Sequence, residues 1–161
     1  MKIPLKLNGE QKIFEAEPTE KLMDTLRSKN LISVKCGCSK GFCGSCTVLL
    51  DGHAVPSCII PVSAVRDSEV ETLEHFSKRP LYDVIISAFN KAGIKMCEYC
   101  SSGKILAAYD LINTYKYPTR QQIYEMVRHF NCPCTETDEL ITGIISVSKY
   151  YSKIREKKNE K

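Results

Sequence analysis

Ile3, Leu5 and Leu7 alternate with Pro4 and Lys6, and Asn8-Gly9 separates them from a second short apolar run at Ile13 and Phe14. Period-two alternation on either side of Asn-Gly predicts a β-hairpin closed by a tight turn. After Pro18-Thr19 the apolar positions change to helical spacing at Leu22, Met23 and Leu26, with Thr19 placed to cap the helix and Asn30 near its end. Residues 47–50 are rich in β-formers, Asp51-Gly52 signals another tight turn, and residues 54–58 read as the returning strand. Residues 70–76 read as a last short strand. The segment up to residue 76 therefore predicts a mixed sheet with one helix.

The period lengthens beyond that point. Pro80 opens a helix in which Leu81, Val84, Ile85, Ala88 and Phe89 recur at three- and four-residue intervals, and Ala92-Gly93 ends it. A second helix carries Ile105, Leu106, Tyr109, Leu111 and Ile112. A third starts at Pro118-Thr119 and shows Ile123, Met126, Val127 and Phe130 on one face, and a fourth holds Leu140, Ile141, Ile144, Ile145 and Val147. Four such helices predict a small bundle. The chain thus reads as α+β, with residues 1–76 and 77–150 as two domains and 151–161 as a charged tail that frays into solvent.

Nine cysteines change the picture, because eight of them fall into two sets of four. Cys38, Cys43 and Cys46 stand at C-x4-C-x2-C, and Cys58 is carried back towards them by the second hairpin. This is the plant-type ligand spacing for a 2Fe-2S cluster. Three thiolates come from one curled loop and one from a separate approach. Gly41 and Gly44 lie among the first three, where a residue without Cβ lets the backbone wrap closely and aim its amides at sulfur. Cys97-x2-Cys100 and Cys132-x-Cys134 supply the second four thiols, placed at the ends of the predicted helices. Sulfur donors in that second arrangement suit zinc as well as iron.

Composition bears on the compartment and on the partners. The sequence has 43% hydrophobic residues and no Trp, which suits a globular chain. It has no apolar run long enough to span a bilayer, and its first residues, MKIPLKLNGE, show no export signal. Grouped cysteines in a chain without such a signal point to metal rather than disulfides, and to a cytoplasmic location. The net charge is +4, but residues 153–161 alone contribute five basic and two acidic side chains. The remainder is close to neutral and gives no footprint for nucleic acid.

At this point the chain resembles the iron-sulfur subunit of molybdenum hydroxylases, the group that contains xanthine dehydrogenase, aldehyde oxidoreductase and carbon monoxide dehydrogenase. Residues 37–48, GCSKGFCGSCTV, follow the family's GCxxGxCGxCTV. Asn8-Gly9, Leu26-Arg27, Thr72-Leu73-Glu74, Pro80-Leu81 and the two late cysteine pairs support the match. The resemblance implies a β-grasp ferredoxin-like domain followed by a four-helix bundle, each with a 2Fe-2S cluster. Cys38, Cys43, Cys46 and Cys58 would hold the first, and Cys97, Cys100, Cys132 and Cys134 the second. It implies an electron wire within a larger oxidoreductase: from a molybdopterin-binding large subunit, through the C-terminal and then the N-terminal cluster, to an FAD-binding medium subunit. No residue of this chain would be catalytic, and no dinucleotide fingerprint is present for FAD.

The departures from the family pattern cluster around the second group. Met96 stands where the family has a Gln that hydrogen-bonds the pterin, and a thioether cannot donate that bond. Glu98 and Glu136 replace Gly, Ser102 replaces Pro, and Pro133 replaces Arg. Hydrogen bonds and charge near a cluster set its potential, so these positions point to a differently tuned centre. Cys36 lies outside both sets and reads as a spare thiol. His53, His75 and His129 lack a catalytic neighbour in sequence and read as structural or surface residues, whereas Phe42, between two ligands, could shield the first cluster or simply pack the loop. Two readings compete with the electron wire: a stand-alone ferredoxin-like carrier and a zinc-stabilised interaction module.

Overall fold

The computed structural model describes residues 1–130 and 132–159, so the last two residues of the charged tail lie outside the described residues. Strands β1 (Lys2–Leu7) and β2 (Glu10–Glu15) pair antiparallel with Lys2 opposite Glu15 and Leu7 opposite Glu10. Asn8 (φ 51°) and Gly9 (φ 86°) both take the left-handed conformation that a type I′ turn demands, as the Asn-Gly pair predicted. The second hairpin joins β3 (Thr47–Leu50) to β4 (His53–Pro56), with Asp51 and Gly52 at the turn. With β5 (Glu69–Glu71) these form one mixed sheet in the order β2-β1-β5-β3-β4. Strand β5 runs parallel to β1 and antiparallel to β3.

Several elements differ in detail from the sequence reading. Helix α1 (Leu22–Ser28) begins after Lys21 rather than from a Thr19 cap. Its start is held by tertiary bonds: the Leu22 amide donates to the Ile60 carbonyl at 2.8 Å, and Lys21 bridges to Pro61. Strand β4 stops at Pro56, and Cys58 sits instead in a 3-10 turn, Ser57–Ile59. The segment 70–76 is half strand and half helix. After β5 the Thr72 amide bonds to the Asn8 side chain at 2.8 Å, which takes it out of the sheet, and α2 (Leu73–Phe76) follows at once.

The helices of the second half are α3 (Pro80–Lys91), α4 (Ser101–Thr114), α5 (Arg120–Val127) and α6 (Thr137–Asn159). Thr119 caps α5 in a capping box, accepting from the Gln122 amide at 3.2 Å while the Gln122 side chain accepts from the Thr119 amide at 2.8 Å. Helix α6 runs on to Asn159, into the segment read as a frayed tail. Ser152 is buried there, and the Ser148 and Ser152 hydroxyls both donate to the Lys116 carbonyl, at 3.2 and 3.5 Å.

Two hydrophobic cores result, and β3 lies between them. Val48 points into the core built from β1, β2, α1 and β5, with Ile3, Leu5, Phe14, Leu22 and Leu26. Leu49, one residue on, points the opposite way into the helical core with Phe76, Ile85, Phe89 and Ile105. Alternate side chains of one strand thus serve two cores. Burying each such side chain fully contributes roughly 1.5–3 kcal/mol.

Candidate metal centres

The first cysteine loop curls because Gly41 (φ 82°) and Gly44 (φ 73°) adopt conformations that a side chain would strain. The curl turns amides inward. Cys38 Sγ accepts from the amides of Lys40, Phe42 and Cys43 at 3.4, 3.2 and 3.4 Å, and the Cys38 amide donates to Cys43 Sγ at 3.3 Å. Burial alone would raise the Cys38 thiol, but the three N–H donors outweigh it and bring it down to about 6. The amides favour the thiolate form at this position.

Cys46 and Cys58 are both buried, and the 3-10 turn carrying Cys58 is stitched to the loop by Ser57, whose hydroxyl donates to the Cys46 carbonyl at 2.7 Å. Burial pushes the Cys46 thiol up to about 12; the Cys58 amide opposes this and the Cys58 thiol adds to it. Of the sequence-predicted first set, Cys38 lies beside Cys43 and Cys46 beside Cys58. Cys36 is exposed, with Sγ 3.7 Å from the Ser39 hydroxyl. Phe42 is 52% exposed and lies beside the His129 ring, so it is not buried within the loop.

The second set is linked by pairwise contacts. Cys97 and Cys100 sulfurs are 3.2 Å apart, Cys100 and Cys132 are 3.1 Å apart, and Cys134 lies against Cys97. Cys97 and Cys100 lie in the turn that leads into α4, while Cys132 and Cys134 occupy the non-helical break before α6. Burial pushes Cys100 up to about 12. It works the same way on Cys97, where bonds from Cys100 and Tyr99 prevail and bring the thiol to about 7. Thiol sulfurs paired and grouped in this way are the donor type that soft, thiophilic metal prefers.

The two groups touch through backbone. A Cβ on Gly103 would stand 2.6 Å from the Gly44 carbonyl oxygen, closer than real carbon atoms come, so glycine is required for α4 to meet the first loop. The Ser102 hydroxyl donates to the Ser45 carbonyl at 3.3 Å, and the Tyr99 hydroxyl, from between Cys97 and Cys100, donates to the Cys36 carbonyl at 3.1 Å. Sequence reasoning passed over Tyr99, and it noted Ser102 only as a departure. It also missed Lys104, fully buried one helical turn after Cys100, whose signal was a lone charge at the head of the apolar run Ile105 to Ala108. Met96 packs partly buried against the helical core, while Glu98, Pro133 and Glu136 are exposed. His53 and His75 each meet a carboxylate, Asp110 and Glu71, and act as ties between elements.

Family models match both halves of the chain: a 2Fe-2S iron-sulfur cluster binding domain over residues 5–74 and a 2Fe-2S binding domain over residues 72–145. The small FeS subunit of nicotinate dehydrogenase from Eubacterium barkeri is 37% identical over 134 residues, covering 83% of this chain and 85% of the relative. The chain belongs to the small iron-sulfur subunit family of the molybdenum hydroxylases. Within that family, the xanthine dehydrogenase iron-sulfur-binding subunit of Escherichia coli is 31% identical over 145 residues, with 89% of this chain and 91% of the relative covered. Among solved structures, quinoline 2-oxidoreductase from Pseudomonas putida 86 superposes with a TM-score of 0.80 at 29% identity, over 92% of this chain and 94% of the matched one. The α+β architecture with a ferredoxin-like first half is therefore the family's own.

Proposed function

We propose that this chain is the electron-transfer subunit of a molybdenum hydroxylase complex. Cys38, Cys43, Cys46 and Cys58 would hold one 2Fe-2S cluster, and Cys97, Cys100, Cys132 and Cys134 a second. Residues 1–76 then form the β-grasp ferredoxin-like domain and residues 77–150 the four-helix bundle around the second centre, with the complex working in the cytoplasm. A bound 2Fe-2S cluster supplies one-electron redox chemistry, with the charge change spread over two metals and their sulfurs. This chain's contribution is to fix eight sulfurs and to aim N–H dipoles at them. The electron donor would be a molybdopterin-bearing large subunit and the acceptor an FAD-bearing medium subunit.

The observation that carries this reading is the aim of three backbone amides at Cys38 Sγ. Amide bonds to a thiolate stabilise a cluster's negative charge and tune its potential, whereas an ordinary structural thiol gains nothing from them. Subunit names among the relatives, such as the small FeS subunit of nicotinate dehydrogenase, support a role inside a larger enzyme. The test is metal and sulfide analysis of protein isolated under anaerobic conditions. About four irons and about four acid-labile sulfides per chain are expected, with two EPR signals after reduction. A colourless protein with about two zinc ions would overturn the reading in favour of an interaction module. Isolation of the iron-bearing chain always alone, never with a molybdenum-containing partner, would favour a stand-alone carrier.

A further inference from the structure

Lys104 is 0% exposed, and its ammonium donates to the Lys95 carbonyl at 2.8 Å and to the Thr135 hydroxyl at 3.0 Å. Thr135 donates in turn to the same carbonyl at 2.9 Å. Both acceptors are neutral. Among the described residues no carboxylate forms an ion pair with Lys104. Burying an ammonium in this way is costly unless negative charge lies close by.

The negative charge available is sulfur. Lys104 follows Cys100 by one turn of α4, its amide donating to the Cys100 carbonyl at 3.3 Å, so both residues share a helix face. Its two acceptors flank the remaining sulfurs: Lys95 precedes Cys97 by two residues, and Thr135 directly follows Cys134. The Lys104 side chain also lies within hydrogen-bonding reach of Cys132. In the first group, by contrast, Cys38 is served by neutral amides.

We propose that the Lys104 ammonium is a built-in counter-charge for the second iron-sulfur centre, raising its reduction potential and so favouring its reduced form. The inference rests on the cluster assignment of the preceding subsection. On reduction one electron enters the centre from the partner's reduced molybdopterin site, or from dithionite in a test tube. No bond to the protein forms or breaks. The added negative charge is opposed by a fixed positive one in a setting where water cannot screen it, so the reduced form gains more than the oxidised. Lys104 touches no substrate and is a positioning residue with an electrostatic effect.

The experiment is an EPR-monitored redox titration of the full chain carrying both centres, comparing wild type with Lys104→Gln and Lys104→Arg. Glutamine keeps an N–H donor for Lys95 and Thr135 but removes the charge, and arginine keeps the charge. At the ambient potential that half-reduces the second centre of the wild type, Lys104→Gln is expected to lower its reduced-to-oxidised ratio about tenfold, equivalent to about 59 mV for one electron. Lys104→Arg should stay near the wild-type ratio, and the first centre should not move in either variant. A second centre that titrates identically in wild type and Lys104→Gln would overturn the inference. Loss of that centre from Lys104→Gln but not from Lys104→Arg would support the charge requirement, whereas its loss from both would assign Lys104 to packing and overturn the idea. A wild type without a second centre would overturn this inference and the cluster assignment together, while an unmoved potential in a two-centre protein would overturn this inference alone.

Discussion

Asp110, buried in α4, accepts from the Ala54 amide at 2.8 Å and meets the His53 ring nitrogen at 3.1 Å, which fastens the helical half to the edge strand β4. The Thr114 hydroxyl also donates to it, at 3.1 Å. A carboxylate bonded to a backbone amide across two cores is a joint between the two cysteine-bearing halves. Asp110→Ala leaves the Ala54 amide without its partner and is expected to cost about 2 kcal/mol of stability. Denaturant unfolding of the two proteins side by side measures that difference, and equal midpoints would show that the joint carries no weight.

Glycine at 103 is required by distance rather than by backbone conformation. Gly103→Ala would force the Gly44 carbonyl away from α4 and should destabilise the protein by about 1–3 kcal/mol, as overpacking does. Because Gly44 sits between Cys43 and Cys46, the first centre should bind less iron as well. Iron content per chain, read alongside the melting temperature, separates the two effects.

Cys36 and Cys38 differ by two positions and should differ completely in consequence. Cys38→Ser removes the sulfur at which three amides converge and is expected to eliminate one of two EPR signals with about half the iron. Cys36→Ser removes an exposed thiol and should leave both signals in place. The opposite pattern would move the ligand assignment to Cys36.

Cluster assembly should depend on pH in a definite direction. Burial pushes Cys46 and Cys100 up to about 12, so both thiols hold their protons at neutral pH and release them when metal binds. Raising the pH removes competing protons, so reconstitution with iron and sulfide is expected to go further at about pH 8.5 than at about pH 6.5, with protons released to the medium. A yield that is flat across that interval would contradict the prediction.

Much of the fold was legible because local chemistry and tertiary structure agree there. Asn8-Gly9 and Asp51-Gly52 are turns in the sequence and in space, and the helix expected to start at Pro118-Thr119 does start there, with Thr119 as its cap. The grouping of the cysteines was legible from spacing alone, and in space Cys38 neighbours Cys43, Cys46 neighbours Cys58, and Cys100 neighbours both Cys97 and Cys132. What was not legible depends on partners distant in sequence. The start of α1 is fixed by Ile60 and Pro61 rather than by Thr19, and β5 ends where the Asn8 side chain captures the Thr72 amide. Cys58 leaves the strand because the Ser57 hydroxyl and amide bend the chain back onto the Cys46 carbonyl. The charged end of α6 reads as solvent-seeking, yet its serines find the Lys116 carbonyl. Lys104 is the sharpest case, since a lysine in an apolar run has no visible purpose until α4 sets it beside the sulfurs.

Strand β3 sends Val48 one way and Leu49 the other, and it leads straight out of the first cysteine loop. A chain severed near residue 76 would therefore leave each fragment with a torn face, the front piece showing Leu49 to water and the rear piece missing its lid. The halves cannot be swapped or shuffled like beads. Damage to one centre should be felt in the melting of the other.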